Sequence, residues 1–411
     1  MSINIQEQPM EKHNNRDRPL IGVFDLFTGK GGIQSVMSTL LPRLTDHYRI
    51  VAINPYHNQA YADRFRNTSI KVEPLVNRPP ITPFIGGANQ IDRVFRIARR
   101  TPWMLRTLSA LHQWNRIHRP DVIYFNFLPV ANLFSRALPR SGPRLVFHSH
   151  GHKSEREISS SAVRRLNARF DAVIAVSEIT RQFLVRADVD PNRIEVVYNS
   201  VDADAIRKAA MQSNGHPLPN RQQGERVIVQ VGALTPKKAP DLTIDAFAKI
   251  ATRHRCQLWF CGDVLAGGDR AFGESLKRRV KELGLTDRIH FLGWRNDASY
   301  VQHTADIAIL PSRSDCESFG LVLAEAMSLQ KPCIGSDRGG IPEVISHQET
   351  GIVCPLNVGA FASAMDCLLA GPRLRTQMGK AGLKRVREHF ATAQQQQKIC
   401  NLLQRVIDRK P

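Results

Sequence analysis

Twelve short apolar runs limit what this chain can fold into more than any other feature. The first half holds "LIGVFDLF" (20–27), "RIVAINPY" (49–56), "DVIYFNF" (121–127), "RLVFHSH" (144–150), "AVIAVSE" (172–178) and "RIEVVYN" (193–199). The second half holds "VIVQVGAL" (227–234), "CQLWFCGD" (256–263), "RIHFLGW" (288–294), "IAILPS" (307–312), "KPCIGSD" (331–337) and "GIVCP" (351–355). Runs rich in Val, Ile and Phe, mostly apolar throughout, belong to strands buried on both faces, as in parallel sheets covered by helices. Amphipathic segments such as "PDLTIDAFAKIATRH" and "RAFGESLKRRVKELGL" lie between them. Two successive βα arrays predict an α/β chain of two Rossmann-like doubly wound domains facing a central cleft.

The arrays set the expected boundaries. Residues 1–18 read as a polar, flexible leader and 19–202 as the N-terminal domain. The stretch 203–226 is rich in Pro, Gly, Asn and Gln and reads as the linker. The C-terminal domain spans 227–390, and a C-terminal helix, 391–411, is expected to pack back on the N-terminal domain. The closing helical pattern runs unbroken over about residues 378–409.

Charge narrows the choice of partners. Lys and Arg number 57 against 37 Asp and Glu, a net charge of +20. Segment 93–153 alone contributes +10, with 11 basic residues and one acid, Asp121. Within it, residues 93–119 carry seven Arg, Trp103 and Trp114 and no acid, and Pro102 is expected to divide them into two short helices. Arg with Trp on amphipathic segments suits an anionic membrane surface. A solvated basic face with buried Trp fits equally well. No nucleic-acid-binding module is present, so nucleic acid is not expected as a partner. No run of about 18 apolar residues exists, so no spanning helix is expected. The polar start predicts no secretory signal, and seven unpaired-looking cysteines, all after residue 250, fit a reduced cytoplasmic setting.

The loop "FTGKGGIQSV" (27–36) follows the first strand-like run and opens a helix. Glycines there let a backbone approach phosphate, and a helix N-terminus offers N–H groups to an anion. ATPase chemistry is excluded by spacing: Ser35 and Val36 stand where Lys and Ser/Thr would be needed. A diphosphate or sugar loop and a plain structural turn both remain.

Residues 311–326, "PSRSDCESFGLVLAEA", hold Glu317 and Glu325 with seven residues between them. A helix beginning near Phe319, Gly320 and Leu321 would offer its first amides to an anion. Acids beside an anion site make sense if they grip hydroxyls, Glu317 on a sugar and Glu325 on a vicinal diol such as ribose. Spacing alone leaves open an exposed acidic helix start with an ordinary mid-helix Glu.

These segments, in order, resemble the retaining glycosyltransferases of family 4 (glycosyl transferases group 1), with the GT-B fold. "GGIQSV" is similar to the family's first loop, "HSHG" to its strand-end His-Gly, and "VVYNSVD" to its "NGVD". "VGALTPKKAPDLTIDAFA", "LPSRSDCESFGLVLAEAM" and "IGSDRGGIPEVISHQETGIV" resemble its phosphate segment, its E-x7-E signature and its "GG.pEv" segment. The resemblance implies a nucleotide-sugar donor. It places Glu325 on the ribose and Glu317 on the donor sugar. Lys238 and the amides of Phe319, Gly320 and Leu321 fall at the diphosphate or sugar. Gly31, Gly32 and Gly232 become donor-side glycines, and His150 meets the transferring sugar. His150, Glu317 and Lys238 are thus the expected catalytic set. Four residues depart from the pattern: Ala233 for Arg, and Ala239, Ser200 and Gln330 for Gly. Arg338, Lys237 or Lys30 could make up for the missing Arg.

The function this implies is transfer of a hexose-type unit, with retention, from a nucleotide sugar to an acceptor hydroxyl. The acceptor is expected in a lipid-linked, lipopolysaccharide or exopolysaccharide glycan, at the inner face of the cytoplasmic membrane. A nucleotide-sugar epimerase of the same build and a non-catalytic binding protein are the alternatives. No cofactor and no metal are expected. His148, His150 and His152 alternate on one strand face, but no Asp partners stand at matching strand ends. "DVD" (188–190) and "DAD" (202–204) read as turns and caps.

Overall fold

A computed structural model of the chain describes residues 18–25, 32–77, 90–151, 158–213, 215–264, 269–313 and 317–409, with side chains described from residue 101 in the third stretch. Gly31 and Lys30, in the glycine loop, and His152 lie outside the described residues.

Seven strands form the first sheet: β1 (Leu20–Phe24), β2 (Arg49–Tyr56), β3 (Lys71–Val76), β4 (Val122–Phe125), β5 (Arg144–Ser149), β6 (Ala172–Ala175) and β7 (Ile194–Val196). Their order is β3-β2-β1-β4-β5-β6-β7. Six more form the second: β8 (Arg226–Val231), β9 (Cys256–Cys261), β10 (Ile289–Phe291), β11 (Ile307–Leu310), β12 (Cys333–Ser336) and β13 (Gly351–Cys354), ordered β10-β9-β8-β11-β12-β13. The pairings are parallel, for example Phe24 beside Phe125 and Val227 beside Gln257. Each sheet therefore reverses its strand order once, between β1 and β4 and between β8 and β11.

Burial explains the runs of apolar residues. In β8, Ile228 belongs to a cluster with Leu258, Phe260, Ile307, Ile309 and Ile334, backed by Phe247 and Phe361. Its neighbours Val227 and Val229 face a second cluster with Trp259, Ala308, Leu310, Leu323 and Met327. Alternate residues of one strand thus enter different cores, so neither face can be polar.

The chain forms two compact units. One takes in residues up to Phe147, Arg169–Ala172 and the residues from Cys400 onward; the other takes in His148–Ala168 and Val173–Ile399. The stretch 203–226 holds helix Ala203–Ala209, capped by Asp202, before β8 begins.

Two expectations are corrected. Helix Gln90–His118 runs through Pro102 without dividing. A proline costs a helix one N–H bond and a local clash, and the long helix holds on both sides of it. Trp114 is buried, stacked on His118 at 4.6 Å and donating to Glu73 Oε2 at 2.6 Å, while Trp103 stacks on Tyr56 at 4.9 Å. The closing pattern over about residues 378–409 is not one helix but two, Pro372–His389 and Thr392–Asp408, parted beside the expected start of the C-terminal helix at residue 391. The break comes where the Val201 N–H takes the Phe390 carbonyl at 2.9 Å and Val201 bridges Ala391.

The substituted glycines also find their reasons. Ala239 (φ 50°) and Gln330 (φ 58°) hold left-handed backbone, the conformation that Gly adopts at least cost. Ser200 is used differently: it is buried and donates to Gln395 Oε1 at 2.7 Å.

Candidate active site

In an open parallel sheet, ligands bind beyond the C-terminal strand ends where the strand order reverses. In the second sheet that place lies beyond β8 and β11, and the sequence-selected residues lie there. Beyond β8, Gly232 bonds to the Cys261 carbonyl at 3.0 Å, Ala233 follows, and a 3-10 turn, Pro236–Lys238, carries Lys238. Beyond β11 come Ser312 and then Glu317, which precedes helix Leu321–Ser328.

These two segments meet. The Lys238 ammonium pairs with Glu317 Oε2, and Ser312 Oγ donates to the same oxygen at 2.9 Å. Side-chain exposure is 29% for Lys238 and 14% for Glu317, so the pair is shielded yet reachable. The turn under Lys238 is held from below. Gln230, buried within β8, donates to the Lys238 carbonyl at 2.8 Å and accepts from Thr243 at 2.6 Å. Arg313 braces it from the side through Asp241, at 2.6 and 2.7 Å, and the Lys237 carbonyl, at 2.8 Å. Lys237 itself is exposed, and Arg338, 46% exposed, pairs with Asp337 at 3.4 Å.

Gly320, the residue before helix Leu321–Ser328, has φ 93°, which a side chain would strain. A helix start leaves its first N–H groups without intrahelical acceptors; here the Leu323 N–H bonds back to the Gly320 carbonyl at 2.9 Å. Phe319 is a core residue: its ring meets Phe390 at 5.2 Å and Tyr198 at 6.1 Å, so only its backbone faces the turn's work. Gly340 presses on the same turn. Its N–H donates to the Glu317 carbonyl at 2.7 Å, and a Cβ there would stand 2.4 Å from the Ser318 carbonyl oxygen.

Glu325 shares the half-exposed stripe of its helix with Leu321 and Val322, while the other faces are buried. Surrounding protein pushes its carboxyl up from the ordinary 4.5 to about 7. His150 follows β5 and is buried, its ring 3.9 Å from that of His148. Burial lowers its pKa to about 3 and that of His148 well below the usual value, so both rings are neutral at pH 7. Ser318 Oγ donates to the His150 carbonyl at 2.6 Å, which brings His150 beside the Glu317 segment. Gly32 opens helix Gly32–Leu44 and is exposed. Among the described residues no group of three or more His, Cys, Asp or Glu is arranged to hold a metal ion.

Sequence reading missed Ser312, Gln230, Asp241 and Glu343. Gln230 carried a signal, a lone amide in the apolar run "VIVQV".

Two family models match the chain in tandem: Glycosyltransferase Family 4 over residues 30–205 and Glycosyl transferases group 1 over residues 215–385. The chain belongs to glycosyltransferase family 4, with the GT-B fold. A D-inositol 3-phosphate glycosyltransferase of Mycobacterium bovis, and one of Mycobacterium tuberculosis, are each 34% identical over 234 residues. The match takes in 54% of this chain and 45% of theirs, so the chain spans about half the length of the curated relatives it matches. Anabaena Alr3699/HepE in complex with UDP superposes with a TM-score of 0.75 at 20% identity, covering 94% of this chain and 100% of that one. Sucrose-phosphate synthase from Thermosynechococcus elongatus gives 0.72 at 17%, covering 95% and 99%. The lipopolysaccharide outer core galactosyltransferase WaaB gives 0.68 at 18%, covering 94% and 99%. At these identities the three structures speak for the fold.

Proposed function

We propose that this chain is a retaining glycosyltransferase that moves a hexose-type sugar from a nucleotide-sugar donor to an acceptor hydroxyl. The observation that carries the reading is the shared grip on Glu317 by Lys238 and Ser312 beyond β8 and β11, with Glu325 one turn into the helix that follows. In this reading residues 227–390 bind the donor and residues 19–202 face the acceptor.

The roles follow from charge. As the sugar–phosphate bond breaks, the leaving nucleoside diphosphate gains negative charge. Lys238 and the Phe319, Gly320 and Leu321 amides stabilise that charge more in the transition state than in the ground state. Arrival of the diphosphate draws Lys238 from Glu317, which turns its carboxylate to the donor's hydroxyls. Glu325 accepts from the ribose diol. A neutral His150 can donate to or accept from a sugar hydroxyl without adding charge. Since Glu317 is a hydroxyl acceptor here and not a nucleophile, the leaving phosphate takes the acceptor's proton on the same face. No metal enters this scheme. UDP-, GDP- and ADP-sugars should be screened for binding, slow hydrolysis and transfer. One donor class is expected to win, and isomerised donor without acceptor would instead indicate an epimerase.

The acceptor is a lipid-linked or surface-polysaccharide glycan in this reading, reached from the inner face of the cytoplasmic membrane. Helix Gln90–His118 supports it with a face exposing Leu105 (58%) and Ile117 (67%) among Arg106 and Arg116. Apolar tips among arginines suit an anionic lipid surface. No helix among the described residues is long and apolar enough to cross a membrane. The protein should pellet with anionic vesicles, stay in solution with neutral ones, and be released by salt. Equal binding to both, or to neither, would sink the membrane part.

A further inference from the structure

The carboxylate of Glu343 joins two parts of the molecule that are far apart in sequence. It lies in the short helix Ile341–Val344, and both its oxygens are used: Oε2 accepts the Glu178 N–H at 2.7 Å and Oε1 the Ile179 N–H at 2.8 Å. Those amides open helix Glu178–Arg186, which Ser177 already caps by accepting from Thr180. A local cap is in place, so a second one 165 residues away is not needed to start the helix. The N-terminus of a helix favours a negative charge, which strengthens the tie. Burial first, and then the nearby Glu343 carboxylate, push the Tyr198 hydroxyl up to about 12, so Tyr198 stands close to Glu343.

From Glu343 the ties lead to the candidate site by two routes. Tyr198 packs on Phe319 at 6.1 Å and on Phe390 at 5.7 Å. Gly340, three residues before Glu343, donates to the Glu317 carbonyl at 2.7 Å. Arg385 fixes this stretch from behind, donating to the carbonyls of Glu343 and Val344 at 2.8 Å each. Ser318 closes the ring on His150. The peptide of Glu317 is therefore held on one side through Gly340 and on the other through Ser318 and Phe319.

We propose that Glu343 is a positioning residue: by clasping the start of helix Glu178–Arg186 beside Tyr198, it sets the Glu317–Gly320 segment in its working geometry. The role rests on the transferase reading above. Glu343 touches no donor atom in it; it acts through Glu317.

The test uses the whole protein with the donor that wins the screen. Glu343→Gln keeps size but turns one donor against another. It is expected to lower kcat at least about tenfold with donor KM within about twofold, because a misplacement of about 1 Å can cost 10²-fold. Tyr198→Phe keeps the ring packing and should show the same split with a loss of about two- to fivefold. Hydrogen–deuterium exchange is read in parallel. Glu343→Gln should quicken exchange in residues 177–181 and also in 317–323. Quickening confined to 177–181, with kcat retained, would overturn the proposal, and a fall in stability alone with rates intact would do the same. If Glu343→Gln does not fold, Tyr198→Phe decides by its rate split and its exchange in 317–323. If the wild-type protein turns over no donor, the transferase reading fails, and exchange in 317–323 still decides whether Glu343 holds that segment.

Discussion

Glu317→Ala is expected to cut sugar transfer by about 10²- to 10³-fold while nucleoside diphosphate binding is kept or tightened. The reason is the double use of one carboxylate. Glu317 holds the Lys238 ammonium and the Ser312 hydroxyl. Removing it frees Lys238 for the diphosphate, so the ground state gains a cation. The reacting sugar, however, loses the acceptor that orients its hydroxyls, and that loss falls on kcat. The ion pair is partly solvated, so its removal should cost no more than about 1 kcal/mol of stability. Calorimetry with the nucleoside diphosphate and initial rates on the same preparation give the two readouts. Unchanged transfer would refute the assignment of Glu317, and lost diphosphate binding would move it from the sugar to the phosphate.

Glu325→Gln should weaken nucleotide binding by roughly 1.5–3 kcal/mol, the worth of a hydrogen bond to a charged group, and also remove a pH dependence. With its carboxyl raised to about 7, Glu325 is largely protonated at pH 6 and ionised at pH 8. Donor affinity is expected to climb through about pH 7 in the wild type and to stay flat in Glu325→Gln. Stability runs the other way. Between 4.5 and about 7 the folded state binds more protons than the unfolded one, so stability falls as pH rises through that window. Once ionised, the carboxylate is a poorly solvated charge that costs on the order of 3 kcal/mol, at about 1.4 kcal/mol per pH unit. Glu325→Gln should therefore melt higher than wild type at pH 8 and nearly with it at pH 4.5. Two melting curves per variant check this, and equal differences at both pH values would show that Glu325 titrates normally. His148 and His150, held neutral down to low pH, should leave no mark on either profile near neutrality.

The strands were legible because burial on both faces writes itself into a sequence as a continuous apolar run. β3 was not, and its position explains why. It pairs only with β2 at the sheet edge, is half exposed, and carries Lys71, Glu73 and Pro74. An edge strand tolerates proline and charge, so it lacks the signal that marks the others. The split of the closing helix was hidden for another reason. It depends on Val201 claiming the Phe390 carbonyl, a partner that no local pattern around residue 390 reveals. The site divides the same way. Lys238, Glu317 and Glu325 stand in recognisable motifs with roles attached, whereas the roles of Gln230, Asp241 and Glu343 depend on partners 8 to 165 residues away and become visible only when the chain is folded.

The helix Thr392–Asp408 carries a consequence for synthesis. The Tyr48 hydroxyl donates to the Cys400 carbonyl at 3.0 Å, and Arg409 donates to the Asp171 carbonyl at 3.2 Å. Residues from Cys400 onward thus complete the unit whose strands β1 to β4 leave the ribosome first. At a few residues per second, that unit waits tens of seconds with an unfilled seam. Loss of the last dozen residues should therefore show itself as aggregation of the newborn chain, well before any defect in chemistry could be measured.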